Sequence, residues 1–192
     1  MSTYPSPWSV PKPYETVVST ETLGAPGTFT LVTIPQTYRE VVFRVVGKTL
    51  AAALYDYCLI ELNGDSTPVY SRIKNGRFNN STAAGGAAGD NWVSNGQTSA
   101  YLSLLGGGTG AGTVESGFCE AVLTDYTLPK GTHILRSQGG VRGTVISTAT
   151  ELVWFAPVVG PTGPSAISTV EVVNAANFDT GSTFTVLGRG PL

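Results

Sequence analysis

The sequence predicts an all-β fold: a β-sandwich, jelly-roll-like, with an extended Pro-rich arm at its N-terminus. Three observations predict it. Only 12% of the 192 residues are charged, against roughly 25% in ordinary domains, and 24 Gly take much of that share. Lys and Glu are good helix formers and Gly is a poor one, so the exchange favours strands and turns. About ten short stretches alternate apolar and polar residues with period two and end at turn residues. No window of useful length carries the helical period, Leu50–Tyr57 coming nearest.

The chain divides into an arm, residues 1–15, and a β-domain, residues 16–192. In the arm, Pro5, Pro7, Pro11 and Pro13 alternate with Tyr4, Trp8, Val10 and Tyr14. Proline fixes φ and removes a donor, so this stretch should be extended and close to polyproline II. Tyr4, Trp8 and Tyr14 are the expected partner-binding residues, because aromatic side chains bring large apolar area at low entropic cost.

Strands are expected next. Thr28–Ile34 alternates and is closed by Pro35. Arg39–Val46 puts Val41, Phe43 and Val45 on one face and Val42, Arg44 and Val46 on the other. Tyr55–Asn63 groups Cys58, Ile60 and Leu62, and Asn63-Gly64-Asp65 supplies a turn across which Pro68–Ile73 pairs back. Residues 75–99, rich in Asn, Ser, Ala and Gly, read as a long loop, of which residues 79–99 are expected to be mobile or receptor-facing. Ala100–Leu105, Val114–Tyr126, Thr132–Ser137, Val141–Ser147, Glu151–Phe155, Ala166–Val173 and Ser182–Leu187 complete the strand set. Gly106–Gly112 reads as a glycine loop and Gly139-Gly140 as a hairpin turn.

Composition and motifs exclude several function classes. The net charge is −2 and no stretch concentrates Lys and Arg, so the electrostatic footprint of a nucleic-acid partner is missing. No apolar run approaches the ~20 residues of a membrane span, and the opening MSTYPSPWSVPKPYE lacks the apolar core expected of a signal peptide. Folding in a cytoplasm is expected, with Cys58 and Cys119 as buried thiols rather than a disulfide or a reactive site. Gly106 to Gly112 resembles a phosphate loop, but the following VESGFCEAVLTDY is a strand pattern and offers no helix N-terminus. His133, the one histidine, sits in a strand pattern with no nucleophile elbow elsewhere. One His and two distant Cys cannot make a zinc site. Glu61, Asp65, Asp90, Glu115, Glu120 and Asp125 are scattered, and the sequence places no two of them together. No catalytic, cofactor-binding or metal-binding residue is therefore expected, and the protein is read as a non-enzyme.

Two groups of motifs then match a known pattern. The first is Ile34-Pro35-Gln36-Thr37-Tyr38, then Val41–Val46, then Leu59–Asp65 with Tyr70 after it. The second is Trp154, then Ala166–Val172, then Asn177–Gly188 (NFDTGSTFTVLG). In that order and spacing they resemble a family of phage and prophage virion proteins, the tail or minor structural proteins. The resemblance covers roughly residues 28–190 and implies a β-sandwich presented on the virion, without catalytic residues.

The expectation is therefore a bacteriophage virion structural protein, located in the virion and assembled in the host cytoplasm. It would be displayed on the capsid or tail surface as a decoration or accessory protein and anchored by its arm. Expected partners are other virion proteins and further copies of the chain, with a trimer as the expected oligomer. Few charges and exposed strand edges are hazards for a free monomer and tolerable when neighbours cover them. The alternative is a receptor-binding module of a phage tail that holds host-surface carbohydrate, in which Phe78, Trp92 and Tyr101 stack on sugar rings.

Overall fold

The computed structural model describes residues 14–52, 55–68, 70–80, 88–107, 116–129, 133–142, 146–156, 159–160, 163–174 and 176–191, with backbone pairing alone over 71–95 and 141–164. None of the described residues is helical. The strands in chain order are β1 (Glu15–Thr22), β2 (Val32–Thr33), β3 (Tyr38–Thr49), β4 (Tyr55–Leu62), β5 (Tyr70–Asn80), β6 (Ala88–Gln97) and β7 (Ala100–Gly107). They continue with β8 (Gly117–Thr124), β9 (His133–Arg142), β10 (Ile146–Ala156), β11 (Val159–Gly160), β12 (Gly163–Pro164), β13 (Thr169–Val172) and β14 (Thr183–Pro191).

Twelve of these strands share one hydrogen-bonded sheet in the order β2-β13-β4-β7-β3-β8-β9-β10-β5-β6, with β14 also on β3 and β1 on β14. β11 and β12 make a separate small hairpin. Among the described residues every pairing in the sheet is antiparallel except one. The end of β3 runs parallel to the end of β7, with Lys48 beside Gly106 and Thr49 beside Gly107. That short parallel contact joins the long-strand part of the sheet to the part formed by β2, β13, β4 and β7. The sheet curls until it is nearly closed, so the shape is barrel-like rather than the clear sandwich that was expected. The reason lies in β3. Its β-branched run is long enough to pair with β14 and β8 and still reach β7, so one strand serves both layers.

The core fills the space inside this curl. From β3 come Val41, Phe43 and Val45; from β8, Cys119, Ala121 and Leu123; from β9, Leu135; and from β14, Phe184 and Val186. They meet Cys58, Ile60 and Leu62 of β4 and Val170 and Val172 of β13. Period-two alternation produces this set, since each strand sends every second residue inward. Phe29, between β1 and β2, packs its ring 4.7 Å from Phe178 and 5.7 Å from Phe184.

Several sequence expectations need correction. Residues 75–99 are not a long loop: β5 and β6 pair across most of it, from Tyr70 opposite Gln97 to Phe78 opposite Ala88. Asn, Ser and Gly weaken strand propensity, but ladder pairing with β10 on the other side of β5 outweighs it. Gly139 and Gly140 are not a turn but lie within β9, paired with β8 and β10. β1 had no expected counterpart, and only Val32–Thr33 of the expected 28–34 strand joins the sheet. The turn at Asn63 and Gly64 is present, with φ of 56° and 65° and an Asp65 N–H to Leu62 carbonyl bond of 3.1 Å. It does not pair β4 with β5, however, because β4 lies between β13 and β7.

Candidate functional site

The most developed polar arrangement is a charge cluster on the face of the sheet turned away from the core. Register builds it. Arg44 of β3 stands opposite Glu120 of β8, and Arg189 of β14 stands opposite both Glu40 of β3 and Glu15 of β1. Directly opposed residues of an antiparallel pair share a face, so the five groups converge.

Arg44 Nε donates to Glu120 Oε2 at 2.6 Å, and Arg44 Nη2 donates to Glu15 Oε1 at 2.9 Å. Arg189 reaches the same Glu15 oxygen, from Nε at 2.8 Å and from Nη2 at 2.7 Å. Gln138 Nε2 donates to the other Glu120 oxygen at 3.4 Å, and Glu40 lies at the margin, 3.9 Å from Arg189. The Glu15 side chain is 0% exposed, that of Arg44 6% and that of Glu120 8%. Burial pulls the Arg44 pKa down, but its bonds to Glu120 and Glu15 more than reverse this and leave it above the usual Arg value.

Glu15 and Glu120 are each committed to a guanidinium, and charge-assisted bonds of this kind are the strong ones. The arrangement therefore fastens β1, β14, β3 and β8 to one another. Its position matters more than its chemistry. Glu15 is the first residue of β1, so the cluster grips the chain where the proline-aromatic segment meets the sheet. The last residue of the expected 1–15 arm thus belongs to the sheet. Tyr14, next to it, is 60% exposed, and Arg189 Cζ lies 5.7 Å from its ring centroid.

The other expected site residues are described only in part. Tyr4 and Trp8 lie outside the described residues. Phe78 is on β5, paired with Ala88 and Thr148, and Trp92 is on β6, paired with Lys74. Tyr101 is on β7 and only 1% exposed, its ring 4.9 Å from that of Tyr57. A buried ring offers no face to a sugar, so Tyr101 leaves the expected stacking set. The half-exposed Tyr57 shields it, a role invisible before the β4–β7 register is known.

His133 is 1% exposed in β9, with Nε2 3.1 Å from the Ser165 carbonyl oxygen. Cys58 and Cys119 are both fully buried free thiols. Asn63, in the expected turn, pins that turn to β13. Its Nδ2 donates to the Ala166 carbonyl at 2.8 Å, while its Oδ1 accepts from the Ser168 and Thr169 amides at 2.7 and 3.2 Å. Among the described residues no group of three or more His, Cys, Asp or Glu is arranged to hold a metal. Among them, too, no helix is long and apolar enough to cross a membrane.

The sequence reading missed Glu15, Arg44 and Arg189 as a group. The one available signal was an Arg in the middle of the apolar run VVFRVV, which requires a buried partner. No protein-family model matches this chain, and no curated protein does.

Proposed function

We propose that this protein is a bacteriophage virion structural component, a decoration or accessory protein held on the capsid or tail surface by its N-terminal arm. One observation carries the proposal: the buried Glu15 bound by both Arg44 and Arg189 at the first residue of β1. An arm that bears load on a particle needs a base that does not fray. Strand ends ordinarily fray, and here two guanidinium groups secure the start of β1. The exposed Tyr14 ring beside that base is suited to continue onto a neighbouring surface. The resemblance of residues 28–190 to virion proteins supports the same reading. A jelly-roll-like wrapping of the nearly closed sheet, a symmetric homo-oligomer and a trimeric state belong to the proposal.

The test is to purify phage particles from a strain carrying this gene and probe them with an antibody raised against the β-domain. The expected result is label on intact particles at a constant copy number. Deleting residues 1–13, which spares Glu15, should leave the domain folded and remove the label. A protein found only in the soluble fraction of lysates, and never on particles, would refute the proposal.

A further inference from the structure

Cys58 and Cys119 are separated by 60 intervening residues, and the fold brings them to the same place in the core. Register shows how. Cys58 of β4 stands opposite Ser103 of β7, and Cys119 of β8 stands opposite Gly139 of β9. Ser103 in turn packs against Gly139. A Cβ built on Gly139 would lie 2.5 Å from Ser103 Oγ and 2.7 Å from Ser103 Cβ. Facing layers of sheet ordinarily stand about 10 Å apart, and contact this close means that the layers pinch together here. The two cysteines are the ladder partners of Ser103 and Gly139, Cys58 on β4 and Cys119 on β8, and the cysteine side chains are neighbours. Both are fully buried. Burial first, and the adjacent Cys119 thiol second, push the Cys58 thiol well above its ordinary value. As folded, the Cys58 thiol is protonated and unreactive.

We propose that Cys58 and Cys119 are a latent covalent clamp, which closes into an interlayer disulfide when the chain folds or opens in the presence of a small-molecule disulfide oxidant. The chemistry is ordinary exchange. One cysteine, deprotonated in an open state, attacks a sulfur of the small disulfide and expels one thiolate. The second cysteine attacks the resulting mixed disulfide at the protein sulfur and expels the other thiolate. The protein loses two protons and two electrons, and the small disulfide becomes two thiols. The bond would tie β4 to β8 across the core, two strands that have no ladder pairing with each other. A chain made in a reducing compartment would carry the thiols, and one that meets an oxidising medium would carry the clamp.

The experiment compares the full chain refolded from denaturant in oxidised plus reduced glutathione with the chain refolded in dithiothreitol. Each sample is then unfolded, alkylated and weighed. Oxidative refolding should yield a monomer lighter by two hydrogens, with no alkylated cysteine and a cross-linked pair of peptides containing residues 58 and 119. Its melting temperature should exceed that of the reduced form by roughly 5–15 °C. Cys58→Ala and Cys119→Ala should each abolish the difference between the two buffers. Two alkylatable thiols in a natively folded, oxidatively refolded monomer would overturn the proposal. So would glutathione adducts or intermolecular cross-links as the sole products.

Discussion

Arg44 and Glu120 stand directly opposite each other on neighbouring strands, joined by a 2.6 Å bond on the face of the sheet turned away from the core. The same Arg44 holds Glu15, whose side chain is wholly buried. Removing one member of such a set leaves its partner buried and uncompensated. Glu120→Gln and Arg44→Met should each cost about 3–5 kcal/mol in urea unfolding. A loss below about 1 kcal/mol, the range of surface pairs, would show that solvent reaches the cluster.

Gly139 and Ser103 make a second prediction. A methyl group at position 139 would meet the Phe118 carbonyl at 2.4 Å as well as Ser103. Gly139→Ala should therefore destabilise by about 1–3 kcal/mol or more, read from thermal and denaturant unfolding. Among the described residues no hydrogen-bond partner reaches the buried Ser103 Oγ. Ser103→Ala removes that uncompensated hydroxyl and should leave stability unchanged or raise it.

The third prediction concerns pH. Glu61 of β4 and Glu171 of β13 stand directly opposite each other. Burial, then the Glu171 charge, then Asp65, raise the Glu61 pKa above its ordinary 4.5. A carboxyl with a raised folded-state pKa contributes stability that is present below its unfolded value and lost as pH rises through the folded value. Glu171→Gln should raise the melting temperature at neutral pH, by an amount corresponding to a few tenths of a kcal/mol in this partly solvated setting. Below the ordinary glutamate range the advantage should vanish, because Glu61 is then protonated and carries no charge to be repelled. Melts of the variant and the wild type across that interval check the sign.

Tyr70 supplies the fourth. Its ring is fully buried, and its hydroxyl accepts from the Leu62 amide at 3.0 Å and donates to the Asp65 carbonyl at 2.9 Å. Burial raises its pKa to about 12. The hydroxyl thus braces the tight turn at Asn63 and Gly64 from inside. Tyr70→Phe should cost about 1–3 kcal/mol, and amide exchange at Leu62 and Asp65 should accelerate.

The all-β class and most of the core were legible in the residues alone. Alternation in Val41–Val46, Cys58–Leu62 and Cys119–Leu123 assigns inward residues without reference to any partner, because side-chain direction along a strand is a local property. Turn chemistry is equally local, and Asn63-Gly64 folds as its composition dictates. Which strands are neighbours is a property of the folded chain and not of any one segment. Gly139-Gly140 lies mid-strand, and the Asn- and Gly-rich stretch from 75 to 99 forms most of a hairpin. In both places local propensity points to turns and loops, while ladder hydrogen bonds from flanking strands supply the missing preference. The charge cluster was beyond the sequence for the same reason. Glu15, Arg44, Glu120 and Arg189 come from four strands spread over almost the whole chain, and it is register, a long-range property, that makes them contacts.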